Sequence, residues 1–153
     1  MKVNLVRVKS RTLLAKSDSN HWITFDTGEK AGGFNGASSP SETMLMAASS
    51  CTAMDQLYII EKNRKQLTRY ELFVEGIRAE THPKIFRELH FNAVAEGDPT
   101  PEQFKRAMEL SLSKYCSVSL SLDRSIRFFA KFTLNGLEEP EWEIPRSVEF
   151  YKD

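Results

Sequence analysis

The chain lacks net charge, long apolar runs and any abundance of cysteine, and each shortage removes a class of function. Lys and Arg number 21, and so do Asp and Glu, so no overall field draws the protein onto nucleic acid or anionic lipid. The densest basic run, Lys62-Asn63-Arg64-Lys65, falls where a helix pattern ends, a place where cations are favoured. No stretch of about 18 apolar residues occurs, and the apolar run in Met1-Lys2-Val3-Asn4-Leu5-Val6-Arg7 is too short for a signal peptide. A cytoplasmic protein with neither membrane nor nucleic acid as a partner is the expectation. Its only cysteines, Cys51 and Cys116, are therefore expected to be free, metal-binding or catalytic rather than a structural staple.

Further absences concern motifs. The loop from Thr27 to Ser38 carries Gly28, Gly32, Gly33 and Gly36 but no Lys-Ser/Thr ending, so it reads as a flexible connector and not as a phosphate loop. The Gly-x-Ser-x-Gly elbow of serine hydrolases is missing, and Ser49-Ser50 read as small packing residues. Among Cys51, Cys116, His21, His82 and His90 there is neither a Cys-x-x-Cys pair nor a His pair at helical spacing. No metal site and no cofactor are expected on that ground.

What is present suits one globular domain. A chain of 153 residues that is 41% hydrophobic carries enough apolar surface to offset the entropy of ordering a single core. The runs from Val3 to Val8 and from Trp22 to Phe25 read as strands. Ser39-Pro40-Ser41-Glu42 joins an N-cap serine, a first-turn proline and a capping-box glutamate, and predicts a helix start. The residues from Met44 to Met54 are apolar or small on nearly every face, so this helix is expected to be central and buried, stopping by Lys65. Tyr70 to Glu80 and Lys84 to Glu96 form a predicted hairpin around Thr81-His82-Pro83. Thr100-Pro101-Glu102-Gln103 repeats the capping logic for a second helix ending near Cys116. Cys116-Ser-Val-Ser-Leu-Ser-Leu alternates like a strand without strong strand formers, and a last core strand runs from Ile126 to Leu134 before the Asn135-Gly136 turn. Residues 1–136 are taken as the domain and 137–153 as its acidic surface extension.

Cys51 lies mid-helix, where a thiol most often serves as a small hydrophobe. It falls twelve residues past Ser39, whereas the helix dipole acts within the first turn, so the dipole does not activate it. Asp55, four residues on, shares its face and disfavours a thiolate unless a cation answers. Cys116 comes 65 positions later and meets Cys51 only if the fold brings two helices together.

The segment from Ser39 to Cys51, with a cysteine eleven residues after the helix-starting proline, resembles the signature of the OsmC/Ohr family, and Lys114-Tyr115-Cys116-Ser117-Val118 is similar to its second cysteine element. The resemblance spans roughly Lys2 to Leu134. It implies an α+β fold in which two protomers intertwine as a homodimer, with antiparallel sheets around two central helices per protomer, and it turns the segment after Cys116 into a short helix. It also implies that organic hydroperoxides are reduced, with Cys51 peroxidatic and Cys116 resolving, Glu42 and Asp55 as further site residues, and a dithiol as reductant. The hydroperoxide, or an apolar ligand, would sit at the dimer interface. Peroxidase members carry an arginine before the helix and a glutamate directly after the proline; here Trp22 to Ser39 holds only Lys30 as a cation, and the glutamate is displaced by one to Glu42. Arg124 and Arg127 are the cations that could substitute for that arginine. The wording Leu-Met-Ala-Ala-x-x-Cys-x-Ala-x-Asp is closest to a poorly characterised branch, which keeps open a non-catalytic redox-sensing or ligand-binding dimer.

Overall fold

The structure, a computed structural model, describes residues 1–146. They fall into two compact units, one ending at Met46 and one beginning at Ala47, and helix α1 (Pro40–Lys62) runs from the first into the second.

In the first unit, β1 (Val3–Lys9), β2 (Thr12–Ser17) and β3 (Trp22–Phe25) form an antiparallel sheet in sequential order. Ser10 and Asn20 make the two turns with positive φ, a conformation that asparagine tolerates better than most residues. The glycine-rich connector is organised by one carboxylate. Asp26 is buried and accepts hydrogen bonds from the backbone N–H groups of Thr27, Phe34 and Gly36 at 2.8, 3.1 and 3.0 Å. These donors, Gly36 foremost, hold its carboxyl below the usual range. Gly33 is required by close approach, since a Cβ there would lie 2.0 Å from the Thr27 carbonyl oxygen. All seven β1 residues are exposed, including Val3, Leu5, Val6 and Val8.

The second unit holds a four-stranded sheet in the order β4 (Leu67–Arg78), β5 (Phe86–Gly97), β6 (Arg127–Leu134), β7 (Leu137–Ile144). The expectation of antiparallel sheets throughout is corrected here, because β5 and β6 pair in parallel. The chain between them makes a crossover through α2 (Pro101–Leu110), a π-helical turn (Ser111–Tyr115) and α3 (Ser117–Leu120), the kind of connection that returns a strand to the same end of a sheet. Alternate residues of β5 and β6 enter the core: Leu89, Phe91, Ala93 and Ala95 meet Phe128, Ala130, Phe132 and Leu134. Phe104 of α2 closes this core against Phe132, with ring centroids 4.9 Å apart. Burial of the leucine and phenylalanine side chains among them contributes roughly 1.5–3 kcal/mol each.

The predicted capping boxes are both formed. Thr100 Oγ1 accepts from the Gln103 N–H while the Gln103 side chain accepts from the Thr100 N–H. Ser39 and Glu42 make the same reciprocal pair. Helix α1 is less enclosed than expected: only Ala48, Thr52, Gln56 and Ile60 are buried along it, one stripe at four-residue spacing, while Met54 and Tyr58 are exposed. Leu137–Ile144, read from sequence as surface extension, pairs with β6 as an edge strand and buries Ile144; residues 147–153 of that extension lie outside the described residues. Among the described residues, no helix is long and apolar enough to cross a membrane.

Candidate functional site

The Ser39 cap and Pro40 start α1, and the helix then carries Cys51, Thr52, Asp55 and Gln56 on successive turns. Cys51 and Asp55 share a face at four-residue spacing. The buried Cys116 reaches them from the crossover. The π-helical turn ends directly before it and Cys116 caps α3, its sulfur accepting the Ser119 N–H at 3.3 Å. Such single π turns recur at functional sites because the extra residue re-aims the next side chains.

The consequence is that one ligand atom from each of Cys51, Asp55 and Cys116 lies within 4.8 Å of the other two. Both thiols are free. The two residues the sequence leaves 65 positions apart thus meet, their sulfurs within 4.8 Å of each other.

Hydroxyls and backbone amides surround the sulfurs. Thr52 Oγ1 donates to Cys116 Sγ at 3.4 Å, Ser119 Oγ lies 3.1 Å from the same sulfur, and the Val118 N–H bonds Cys51. Ser111 Oγ lies 3.2 Å from the Thr52 carbonyl oxygen and 3.3 Å from Asp55 Oδ2, either of which can accept its proton. Thr52, Ser111 and Ser119 are fully buried. The sequence pattern does not single out any of the three; the signal it does carry is that Thr52 adjoins Cys51 and Ser119 stands three residues past a capping Cys116.

The electrostatics oppose ionisation of Cys51. Burial pushes its thiol up, and the neighbouring Cys116 and Asp55 push the same way, against one favourable bond from the Val118 N–H. Asp55 is itself raised by burial, with Ser111 partly countering. Glu42 is engaged elsewhere: its Oε2 accepts the Ser39 N–H at 2.7 Å, which lowers its pKa and commits it to the helix cap. Of the candidate cations, Arg127 is bound to Glu143 at 2.8 Å and Glu88 at 3.2 Å, and Arg124 lines a recess with Arg127 and Glu143.

Asp55 also lines a cleft of about 370 Å³ walled by Tyr58, Ile59, Leu110 and Tyr115, with Lys62 and Asn63 at its polar end. The thiol cluster therefore adjoins a space sized for a small, partly apolar molecule. Gln56, one residue past Asp55, is buried with its Oε1 taking the Tyr70 hydroxyl at 2.8 Å and its Nε2 without a partner among the described residues. Burial pushes the Tyr70 hydroxyl pKa up.

Comparison with known proteins identifies the family and the fold. A family model described as OsmC-like protein matches residues 33–130. Protein YhfA of Escherichia coli strain K12 is 33% identical over 129 residues, covering 82% of this chain and 92% of its own. Among solved structures, a protein from Aquifex aeolicus is 31% identical with a TM-score of 0.75, covering 88% of this chain and 95% of its own. At 17% identity, an organic hydroperoxide resistance protein from Elizabethkingia anophelis shares the fold, with a TM-score of 0.62 over 88% of this chain and 95% of its own. The chain belongs to the OsmC-like family.

Proposed function

We propose that the protein is a cysteine-based peroxidase that reduces organic hydroperoxides, with Cys51 peroxidatic and Cys116 resolving. The observation that carries this reading is the proximity of the two free sulfurs, within 4.8 Å beside a cleft. Cys51 is the more accessible thiol and Cys116 is fully buried, which suits attack by the first and resolution by the second.

The Cys51 thiolate attacks the distal peroxide oxygen, the O–O bond breaks, and the alcohol leaves with a proton while Cys51 becomes a sulfenic acid. The Cys116 sulfur then attacks the Cys51 sulfur, forming the disulfide and expelling water. A dithiol reductant supplies two electrons and two protons to restore both thiols. Exposed apolar residues on β1, and Met54 and Tyr58 on α1, support a homodimer that covers them, in the cytoplasm where the thiols stay reduced.

Stopped-flow mixing with cumene hydroperoxide tests the reading. One peroxide is expected to consume both thiols and leave an intramolecular disulfide. A rate no greater than that of free cysteine, or a sulfenic acid that never condenses, would overturn it. A second reading, a redox-sensing or apolar-ligand-binding dimer, is favoured by the raised Cys51 thiol and the adjacent Asp55. In that case Cys51→Ser keeps both dimer and ligand, and the wild-type thiol reacts only slowly.

A further inference from the structure

The thiol pair and Asp55 have a second chemical capacity that redox cycling does not use. Two sulfurs and a carboxylate oxygen, mutually within 4.8 Å, are three ligands converging on one point. In a tetrahedral zinc site with Zn–S bonds of about 2.3 Å and a Zn–O bond of about 2.1 Å the sulfurs stand roughly 3.8 Å apart and each roughly 3.6 Å from the oxygen, so each ligand atom would need to move by no more than about 0.6 Å. Neither the Cys-x-x-Cys nor the His-pair pattern appears, because the local pair here is a cysteine and an aspartate one helical turn apart, completed by a cysteine from the crossover.

The groups around the ligands are those that orient a metal site. Ser111 Oγ lies 3.3 Å from Asp55 Oδ2. The Cys116 sulfur faces the Thr52 hydroxyl, the Ser119 hydroxyl and the Ser119 N–H at 3.4, 3.1 and 3.3 Å, and the Val118 N–H bonds Cys51. Donors of this kind support metal-bound sulfur and fix ligand direction. Asp55 also borders the cleft walled by Tyr58 and Tyr115, which supplies an entry path and a place for a water as the fourth ligand.

We propose that Cys51, Cys116 and Asp55 form a three-ligand site for a thiophilic divalent cation of the zinc class, with a fourth position open to the cleft. Thiolates select such ions over calcium or magnesium. On binding, each thiol releases its proton to solvent and the ion takes two thiolates and one carboxylate, leaving the centre with one net negative charge. The ion and the disulfide are mutually exclusive, since both use the same sulfur electrons. The site stands independently of the peroxidase reading, because metal uptake is measured on reduced protein and peroxide turnover on chelated protein.

The test uses the full chain, reduced, stripped with a chelator and titrated anaerobically with cobalt(II), then with zinc in competition with a chromophoric chelator. One ion per chain is expected, with intense sulfur-to-cobalt absorption in the near ultraviolet, tetrahedral bands in the visible and two protons released per ion. Cys51→Ser and Asp55→Asn, each checked by circular dichroism for an unchanged fold, are each expected to weaken zinc binding at least about tenfold, and Ser111→Ala about tenfold. Peroxide-oxidised protein is expected to release the ion. Uptake below one ion per chain, absence of the sulfur-to-cobalt band, unchanged affinity in both Cys51→Ser and Asp55→Asn, or retention of zinc by the disulfide form would overturn the proposal.

Discussion

Removing Asp55, a residue that lies in the site, is expected to quicken the thiol rather than disable it. The Asp55 carboxylate lies within 4.8 Å of the Cys51 sulfur and raises its pKa. At that separation two unit charges repel by about 0.9 kcal/mol in bulk water and about 3.5 kcal/mol at an effective dielectric of about 20. Cys51 and Asp55 are both only half-buried, so the repulsion is at most about 1–2 kcal/mol, and it is the smallest of the influences on the thiol. Asp55→Asn keeps the shape and the Ser111 contact but removes the charge, so the Cys51 thiol should ionise at lower pH. Near neutral pH a repulsion of about 1.4 kcal/mol would raise the thiolate fraction by at most about tenfold, while intrinsic nucleophilicity falls by at most about threefold for a Brønsted slope of about 0.4–0.5. The net result is a gain of up to roughly threefold in the rate with cumene hydroperoxide. The assay is the pH profile of Cys51 alkylation by iodoacetamide, read by mass spectrometry on chelated protein, alongside stopped-flow peroxide kinetics. An alkylation midpoint that stays put or moves upward in Asp55→Asn would refute the argument.

Two further outcomes test other parts of the structure. His90 lies 2.9 Å from Glu141 and 3.2 Å from Glu88; burial pulls its pKa down, but these two carboxylates outweigh it and the net shift is upward. A group whose folded pKa is raised contributes stability that is full below its unfolded value of about 6.5 and is lost as pH rises through the folded value, so melting temperature should fall over that window in the wild type and less in His90→Gln; equal pH dependence in both would count against it. In the connector, Gly33→Ala drives a Cβ into the Thr27 carbonyl and is expected to cost about 1–3 kcal/mol by overpacking, whereas Gly28→Ala, with φ −64° and nothing within 4 Å of its Cβ, should be close to neutral in the same chemical denaturation series.

Features carried by adjacent residues are legible in the sequence. Ser39-Pro40-Ser41-Glu42 and Thr100-Pro101-Glu102-Gln103 both announce helix starts that form as read, because a capping box is satisfied within four residues. Strand pairing across the crossover is less legible. The parallel join of β5 to β6 depends on where the crossover returns the chain, and β7 draws on a segment whose glutamates and proline suggest surface. Alternation after Cys116 suggests a strand, yet the residues form α3, where Cys116 caps the helix and Ser119 bonds it, a local preference that a period-two count does not register.

By itself the sequence determined the two capped helices, the core strands and the membership that the Cys51 and Cys116 motifs announce, since all of these rest on short-range patterns. The tertiary structure alone decided that Cys51, Cys116 and Asp55 converge within 4.8 Å and that Glu42 serves a helix cap. Convergence of groups 65 positions apart is a property of packing, set when a π-helical turn aims Cys116 at the face of α1 that Cys51 and Asp55 share, and no periodicity along the chain encodes that distance.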